Sequence, residues 1–146
     1  WALYGVAAML PMKQKNIWND VESPLEIHSD ERGSITDIFY NSKIDHVAVI
    51  SSEPNSIRGN HYHKETTQHI LVTHGSLEYW YKPVNSELKA KKIIVKKGDM
   101  ISTPPLEIHA LKIGDEGNEF IVFSEGIRGG KDYESDTFRV PNIIEK

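Results

Sequence analysis

The sequence predicts an all-β domain, a small antiparallel β-barrel or jelly roll. Two observations lead to that fold class. Short runs rich in β-branched and aromatic residues recur along the chain, separated by turn signals roughly every 8–12 residues. No window of ten or more residues carries the 3.6-residue period of an amphipathic helix. A third feature gives such a barrel chemistry to perform. The stretch Arg58–Gly75 (RGNHYHKETTQHILVTHG) holds His61 and His63 two positions apart. Alternation along a strand puts both imidazoles on one face.

The elements follow in chain order. Asn16–Asp30 is broken by Pro24 and reads as a loop with one edge strand, and Asp30–Gly33 is a turn. Ser34–Tyr40 alternates as a strand, Asn41–Asp45 is a loop, and His46–Ser51 is a short strand ending at the turn Glu53–Ser56. Ile57–His63 is the strand that carries the paired histidines. After the polar Lys64–Thr67, the sequence predicts a strand at Gln68–Thr73, a tight turn at His74–Ser76 and a strand at Leu77–Lys82. Pro83–Glu87 is a loop, Leu88–Val95 a strand, Lys96–Asp99 a turn and Met100–Thr103 a brief strand stopped by Pro104 and Pro105. Ile108–Ile113 and Glu119–Ser124 are strands joined by a turn at Gly114–Asn118, and Thr137–Val140 is a last edge strand. Closing such short strands into a barrel covers their edges and leaves a mouth wide enough for one small ligand.

Bulk properties narrow the function. At 146 residues the chain is one domain's worth. A formal net charge of −4, with no long basic run, does not suit nucleic acid. The lysines at 89, 91, 92, 96 and 97 flank Ile93–Val95 as solvated charges around an edge strand. No stretch approaches the roughly 18 apolar residues of a membrane span. Cysteine is absent, so any metal would be held by His, carboxylate or amide groups, and the composition suits a reducing cytoplasm. Residues 1–11 (WALYGVAAMLP) stand apart as apolar, without the basic start or well-placed cleavage site of a signal peptide. They read as an added or disordered segment ahead of a natural start at Met12, or as an arm packing on the domain or on a second subunit. Residues 12–146 are then a single barrel domain.

His61, His63, Gln68 and His109 come from neighbouring predicted strands and converge if those strands face one lumen. Three imidazoles and one oxygen make a reasonable shell for a divalent first-row ion. His28, His46, His69 and His74 read instead as satisfied polar side chains at strand ends. Tyr79 and Tyr81 fall on one strand face and Trp80 on the other, as core or dimer packing rather than a stacking platform.

The spacing of these residues resembles the cupin superfamily. His61-Tyr62-His63 is followed by four residues, Gln68, six residues and Gly75, and a second motif runs Gly98-Asp99, Pro104-Pro105 and His109. The resemblance implies a cupin barrel in which these three histidines and the residue at Gln68 hold a metal: Zn, Fe, Ni or Mn. Gln68 departs from the family's glutamate and offers one carbonyl oxygen without charge, and Gly59 lies nearer the histidines than is usual.

The string Arg58-Gly59-Asn60-His61-Tyr62-His63 resembles one branch more closely, the dTDP-4-keto-6-deoxyhexose 3,5-epimerases and 3,4-ketoisomerases of polysaccharide biosynthesis. There the arginine contacts the nucleotide diphosphate and the histidine is a proton-transfer base, with no metal required. The resemblance implies a nucleotide keto-sugar substrate, an enzyme that abstracts a proton next to the ketone, and a homodimer. Arg58 and Tyr62 are then substrate-binding, and His61 and His63 catalytic. Tyr133, in the Gly-rich Gly126–Val140, is a candidate acid on the opposite face of the sugar. His suits proton abstraction near neutral pH, and Arg suits a diphosphate by bidentate pairing. Arg58 and His61 face opposite ways in a regular strand, so both reach one site only through a bulge, expected at Gly59. A metal-dependent cupin of other chemistry (an oxygenase or small-acid isomerase) and a non-catalytic sugar-binding cupin stand as alternatives.

Overall fold

The computed structural model describes residues 12–126 and 134–145, and all regular structure among them is β. Among the described residues there are ten strands: β1 (Lys13–Asn16), β2 (Ile27–Asp30), β3 (Gly33–Thr36), β4 (His46–Ser52), β5 (Ile57–Tyr62), β6 (Thr67–Pro83), β7 (Lys91–Lys96), β8 (Asp99–Thr103), β9 (Glu107–Glu125) and β10 (Phe138–Arg139). None of the described residues forms a helix long and apolar enough to cross a membrane. The all-β barrel expected from the sequence is the observed fold.

Two expected hairpins are instead single long strands. His74–Ser76 and Gly114–Asn118 do not reverse the chain. They are corners at which β6 and β9 bend while staying paired with each other from Thr67↔Glu125 to Pro83↔Glu107. The register slips between Val72 and His74 and again between Gly75 and Leu77. Gly75 sits at φ +74°, and a β-carbon there would collide with the Gly117 carbonyl oxygen. Its glycine serves a bulge and a close backbone approach, which locally carries the same signature as a turn.

The bends let β6 and β9 serve two walls. On one side of the corner, β1, β8, β6, β9 and β4 lie in order; on the other, β7, β6, β9, β5 and β10 do. Between the walls pack Ile70, Val72, Leu77, Tyr79, Val95, Ile101, Leu111, Ile113, Phe120 and Val122, all nearly water-free. The inward side chains alternate with exposed ones such as Val47 and Val49 on β4, as one-sided burial of an antiparallel sheet requires.

Three boundaries also differ. β3 ends at Thr36 rather than Tyr40. Asp37 turns back to bond Glu26, its amide to the carbonyl and its carboxylate to the Glu26 amide, both at 3.0 Å. The chain then drops Ile38 and Phe39 onto the outer face of the barrel beside Leu71, Met100 and Phe123. β7 begins at Lys91, leaving Leu88 exposed, and Lys13–Asn16 pairs with β8 although its sequence, KQKN, carries no apolar alternation.

Candidate functional site

Strand β5 delivers the first residues of the site. Gly59 lies opposite Ala110 and His61 opposite His109, so Asn60 is an extra residue with no partner on β9. Gly59 and Asn60 have φ of +87° and +58°, the left-handed region that the bulge needs. Arg58 opposes Leu111, two residues from His109, so the bulge returns Arg58 to the face of His61. Both line one cavity of about 300 Å³, together with Gln68 and His109. Ile70, Leu111, Phe120 and Val122 form its apolar side, and Glu134 and Arg139 stand at its rim.

His61, His63 and His109 form a cluster whose ligand-capable atoms all lie within 4.8 Å of one another. Ring centroids are 5.0 Å apart for His61–His63, 4.7 Å for His61–His109 and 5.3 Å for His63–His109. Two tautomers follow from the neighbours. His63 Nδ1 lies 2.8 Å from the Asp136 carbonyl oxygen, and His109 Nδ1 lies 3.1 Å from that of Glu107. A carbonyl only accepts, so each Nδ1 carries a proton, and in the neutral ring that leaves the lone pair on Nε2. Burial, then the nearness of His61 and His63, holds His109 well below the ordinary imidazole range. His63 Nε2 is buried without a hydrogen-bond partner.

This donor set fits a divalent first-row metal. The rings are close, and two of them have their outer nitrogens tied to carbonyls, as ligating histidines usually do. Gln68, buried between Thr103 and Ser124 in the ladders, lines the same cavity and offers a neutral oxygen. His61 differs from its two neighbours. It is half-buried in the cavity wall, whereas His63 and His109 are 3% and 1% exposed.

The remaining site expectations divide. Tyr62, alternating with its histidine neighbours, turns from the cluster and stacks on Phe138 at 5.4 Å; it is not among the cavity-lining residues. Tyr133 lies outside the described residues. Arg58 donates from Nε to Ser52 Oγ (2.7 Å) and from Nη2 to the Ser51 carbonyl (3.2 Å), leaving N–H groups for a ligand. His28, His69 and His74 have polar partners of their own, in Glu26, in Ser102 with Glu125, and in Glu119. Tyr79 is buried and stacks parallel to His109, while Trp80 faces the other way and donates to Glu78.

Three groups escape sequence reading. Arg139 opposes His61 across the β10–β5 pair and reaches the cavity rim, held by both oxygens of Glu134 at 2.8 and 3.0 Å. An ion pair this exposed contributes little, so an incoming anion can replace Glu134. Asp136 reaches the histidine cluster from the same segment, through the carbonyl contact to His63 given above. Glu107 is buried beside His109, accepting from Tyr79 Oη at 3.1 Å and the Met12 amide at 3.0 Å. Burial pushes its carboxyl up to about 7, although both donors act to lower it.

Glu107 therefore makes stability pH-dependent. From the ordinary carboxylate range up to about pH 7, the folded protein holds a proton that the unfolded chain has released. Its contribution is full at low pH and is lost as pH rises through that window, a change on the order of 2–3 kcal/mol. Glu107→Gln keeps an acceptor oxygen for the Met12 amide and removes the titrating proton, and Tyr79 Oη still has Thr103 Oγ1 as a hydrogen-bond partner. Urea unfolding from pH 5 to 8 should show its stability relative to wild type rising with pH. A pH-independent difference would contradict the assignment.

The family described as the polysaccharide biosynthesis C-terminal domain matches residues 28–129. No curated protein sequence matches the chain. Among solved structures, it is similar to QdtA, a sugar 3,4-ketoisomerase from Thermoanaerobacterium thermosaccharolyticum in complex with TDP, with TM-score 0.67, 19% identity and 90% of each chain covered. It is similar to the WlaRB TDP-quinovose 3,4-ketoisomerase from Campylobacter jejuni, with TM-score 0.68, 20% identity and 88% and 92% of the two chains covered. It also resembles the capsular polysaccharide assembling protein CapF from Staphylococcus aureus, with TM-score 0.59 and 24% identity. That match takes in 84% of this chain but 34% of CapF. At these identities the likeness is one of fold.

Proposed function

The chain belongs to the polysaccharide biosynthesis C-terminal domain family, and from that membership we propose that it is an isomerase or epimerase of a nucleotide-linked keto sugar. The observation that carries the reading is the β5 bulge, which sets Arg58 beside His61 in one cavity of about 300 Å³. In this reading Arg58, joined by Arg139 at the rim, pairs with the diphosphate. The apolar wall receives the sugar. His61, the cluster member that lines the cavity and is not fully buried, takes the proton from the carbon next to the ketone. The electron pair moves onto the ketone oxygen to give an enediolate, and an N–H donor at the rim offsets its charge. Return of a proton to the same carbon from the other face gives epimerisation; return to the former carbonyl carbon, with loss of the neighbouring hydroxyl proton, gives isomerisation. Neither route needs an external oxidant. The fold likeness to two sugar 3,4-ketoisomerases supports this choice of substrate class.

A metal-centred version of the site is favoured by one specific observation, the buried and unpartnered Nε2 of His63. His61, His63, Gln68 and His109 would hold the ion. When bound, it would supply Lewis-acid polarisation of the substrate's oxygen. Elemental analysis of protein purified without added metal should then find about one divalent ion per chain. Chelation should lower the melting temperature, because an ion that binds only the folded state stabilises it. Protein that stays metal-free yet exchanges the substrate proton would leave His61 as base and remove this version.

Homodimerisation belongs to the same reading. It is supported by the edges of β1 and β4, unpaired among the described residues, and by the β2–β3 hairpin, whose Ile35 is 68% exposed. A monomeric mass by light scattering would count against it.

A further inference from the structure

The groups that bond the rim segment Glu134–Asn142 to the cluster single out Asp136. Its side chain is buried, 6% exposed, at the end of β5. The carboxylate accepts four hydrogen bonds: from the Lys64 amide to Oδ1 at 3.0 Å, and from the Glu65 amide, the Thr66 amide and Thr66 Oγ1 to Oδ2, each at 2.9 Å. Those donors belong to the turn directly after His63. The carbonyl of the same residue accepts from His63 Nδ1 at 2.8 Å. One residue, distant in sequence, therefore clamps the turn that follows the ring with its carboxylate and orients the ring with its backbone. Beyond it, β10 pairs with Tyr62 and His61, and the Val140 amide bonds the Asn60 carbonyl at 2.9 Å.

We propose that Asp136 is the positioning residue of the histidine cluster, locking His63 in its Nδ1–H tautomer so that Nε2 presents a lone pair to the cluster. The two halves of the contact are interdependent. The Asp136 carbonyl stays opposite His63 because the carboxylate is anchored to Lys64–Thr66, and those amides keep their place because the carboxylate satisfies them. Without the anchor, three amide donors of that turn lose their acceptor, and the carbonyl is free to drift from the ring. His63 can then protonate at either nitrogen, and with the proton on Nε2 it can serve neither as ligand nor as acceptor at that atom. The segment thus couples the rim of the cavity, where Glu134 and Arg139 stand, to the tautomer of a buried histidine of the cluster.

The inference rests on the reading of His61, His63 and His109 as the working cluster, but its test does not require turnover or a substrate. In ¹⁵N-histidine-labelled protein, the wild-type His63 ring should show a protonated Nδ1 and an unprotonated Nε2. Asp136→Asn, which presents an amide group to amide donors, should populate the other tautomer to a comparable extent. It should also weaken zinc binding by about 10–100-fold, the usual effect of losing a group that orients a ligand. Thr66→Val removes a single one of the four bonds and conserves shape. It is expected to move the His63 signature in the same direction by less, and it decides the matter if the Asp136 variant fails to fold. A His63 tautomer unchanged in a folded variant of either kind would overturn the proposal. Loss of catalysis with the tautomer intact would overturn it as well and leave the reading of the cluster standing.

Discussion

His61→Ala is expected to lower exchange of the substrate's α-proton with solvent by about 10³-fold, while nucleotide binding changes only a few-fold. The size follows from the task. General acid–base groups typically contribute 10²–10⁴-fold, and a loss of about 10³ corresponds to roughly 4 kcal/mol of barrier. The separation of binding from chemistry follows from the geometry. The diphosphate partner in this account is Arg58, whose guanidinium is already braced on Ser52 and Ser51 and does not depend on the imidazole. Arg58→Ala should do the reverse, weakening the nucleotide first. Proton exchange followed by NMR in deuterated solvent, with TDP titrated in parallel by calorimetry, reads both quantities. A His61→Ala variant that retained exchange would move the base elsewhere in the cluster.

Gly59→Ala has the second large effect, and on structure rather than chemistry. At φ +87° a non-glycine residue is strained by about 1 kcal/mol. The new β-carbon would lie 2.8 Å from the His109 carbonyl oxygen and 3.2 Å from the Ala110 Cα. Both are backbone atoms of β9 and cannot step aside as a side-chain tip can, so overpacking adds roughly 1–3 kcal/mol. The total expected loss is about 2–4 kcal/mol in urea unfolding. If the strand relieves the clash by giving up its bulge, Arg58 and His61 return to opposite faces, and nucleotide affinity falls with stability. A variant as stable as wild type would show that the bulge does not depend on this glycine.

The sequence reading and the structure agree where information is local and part where it is not. His61 and His63 were legible from alternation along one strand, Gln68 and His109 from motif spacings that resemble the cupins, and the three histidines do meet. The need for a bulge near Gly59 was legible for the same reason: Arg58 and His61 could not otherwise share a cavity. The corners of β6 and β9 were not. Gly75 looks like a hairpin glycine, and only the opposing Gly117, more than forty residues on, reveals a bulge. Tyr62 was drawn into the site by its neighbours, though the alternation that joins His61 to His63 turns the residue between them outward, against Phe138. Arg139 and the contact of Asp136 with His63 had no local signal beyond their place in the Gly-rich, charged tail. β10 is two residues long, and Asp136 finds His63 at a separation of 73 positions. Glu107 reads as an ordinary charged residue after a double proline until Tyr79 and Met12 enclose it.

The account depends on one claim, that this barrel moves a proton next to a sugar ketone. The direct measurement is incorporation of deuterium from solvent into a TDP-linked 4-keto-6-deoxyhexose, followed by NMR with the wild-type protein and with His61→Ala. The account predicts deuterium at a carbon adjacent to the ketone with the wild type and none above background with the variant. A wild-type protein that binds the nucleotide sugar yet leaves every carbon-bound proton in place would contradict it, and would make this cavity a binding site rather than an active one.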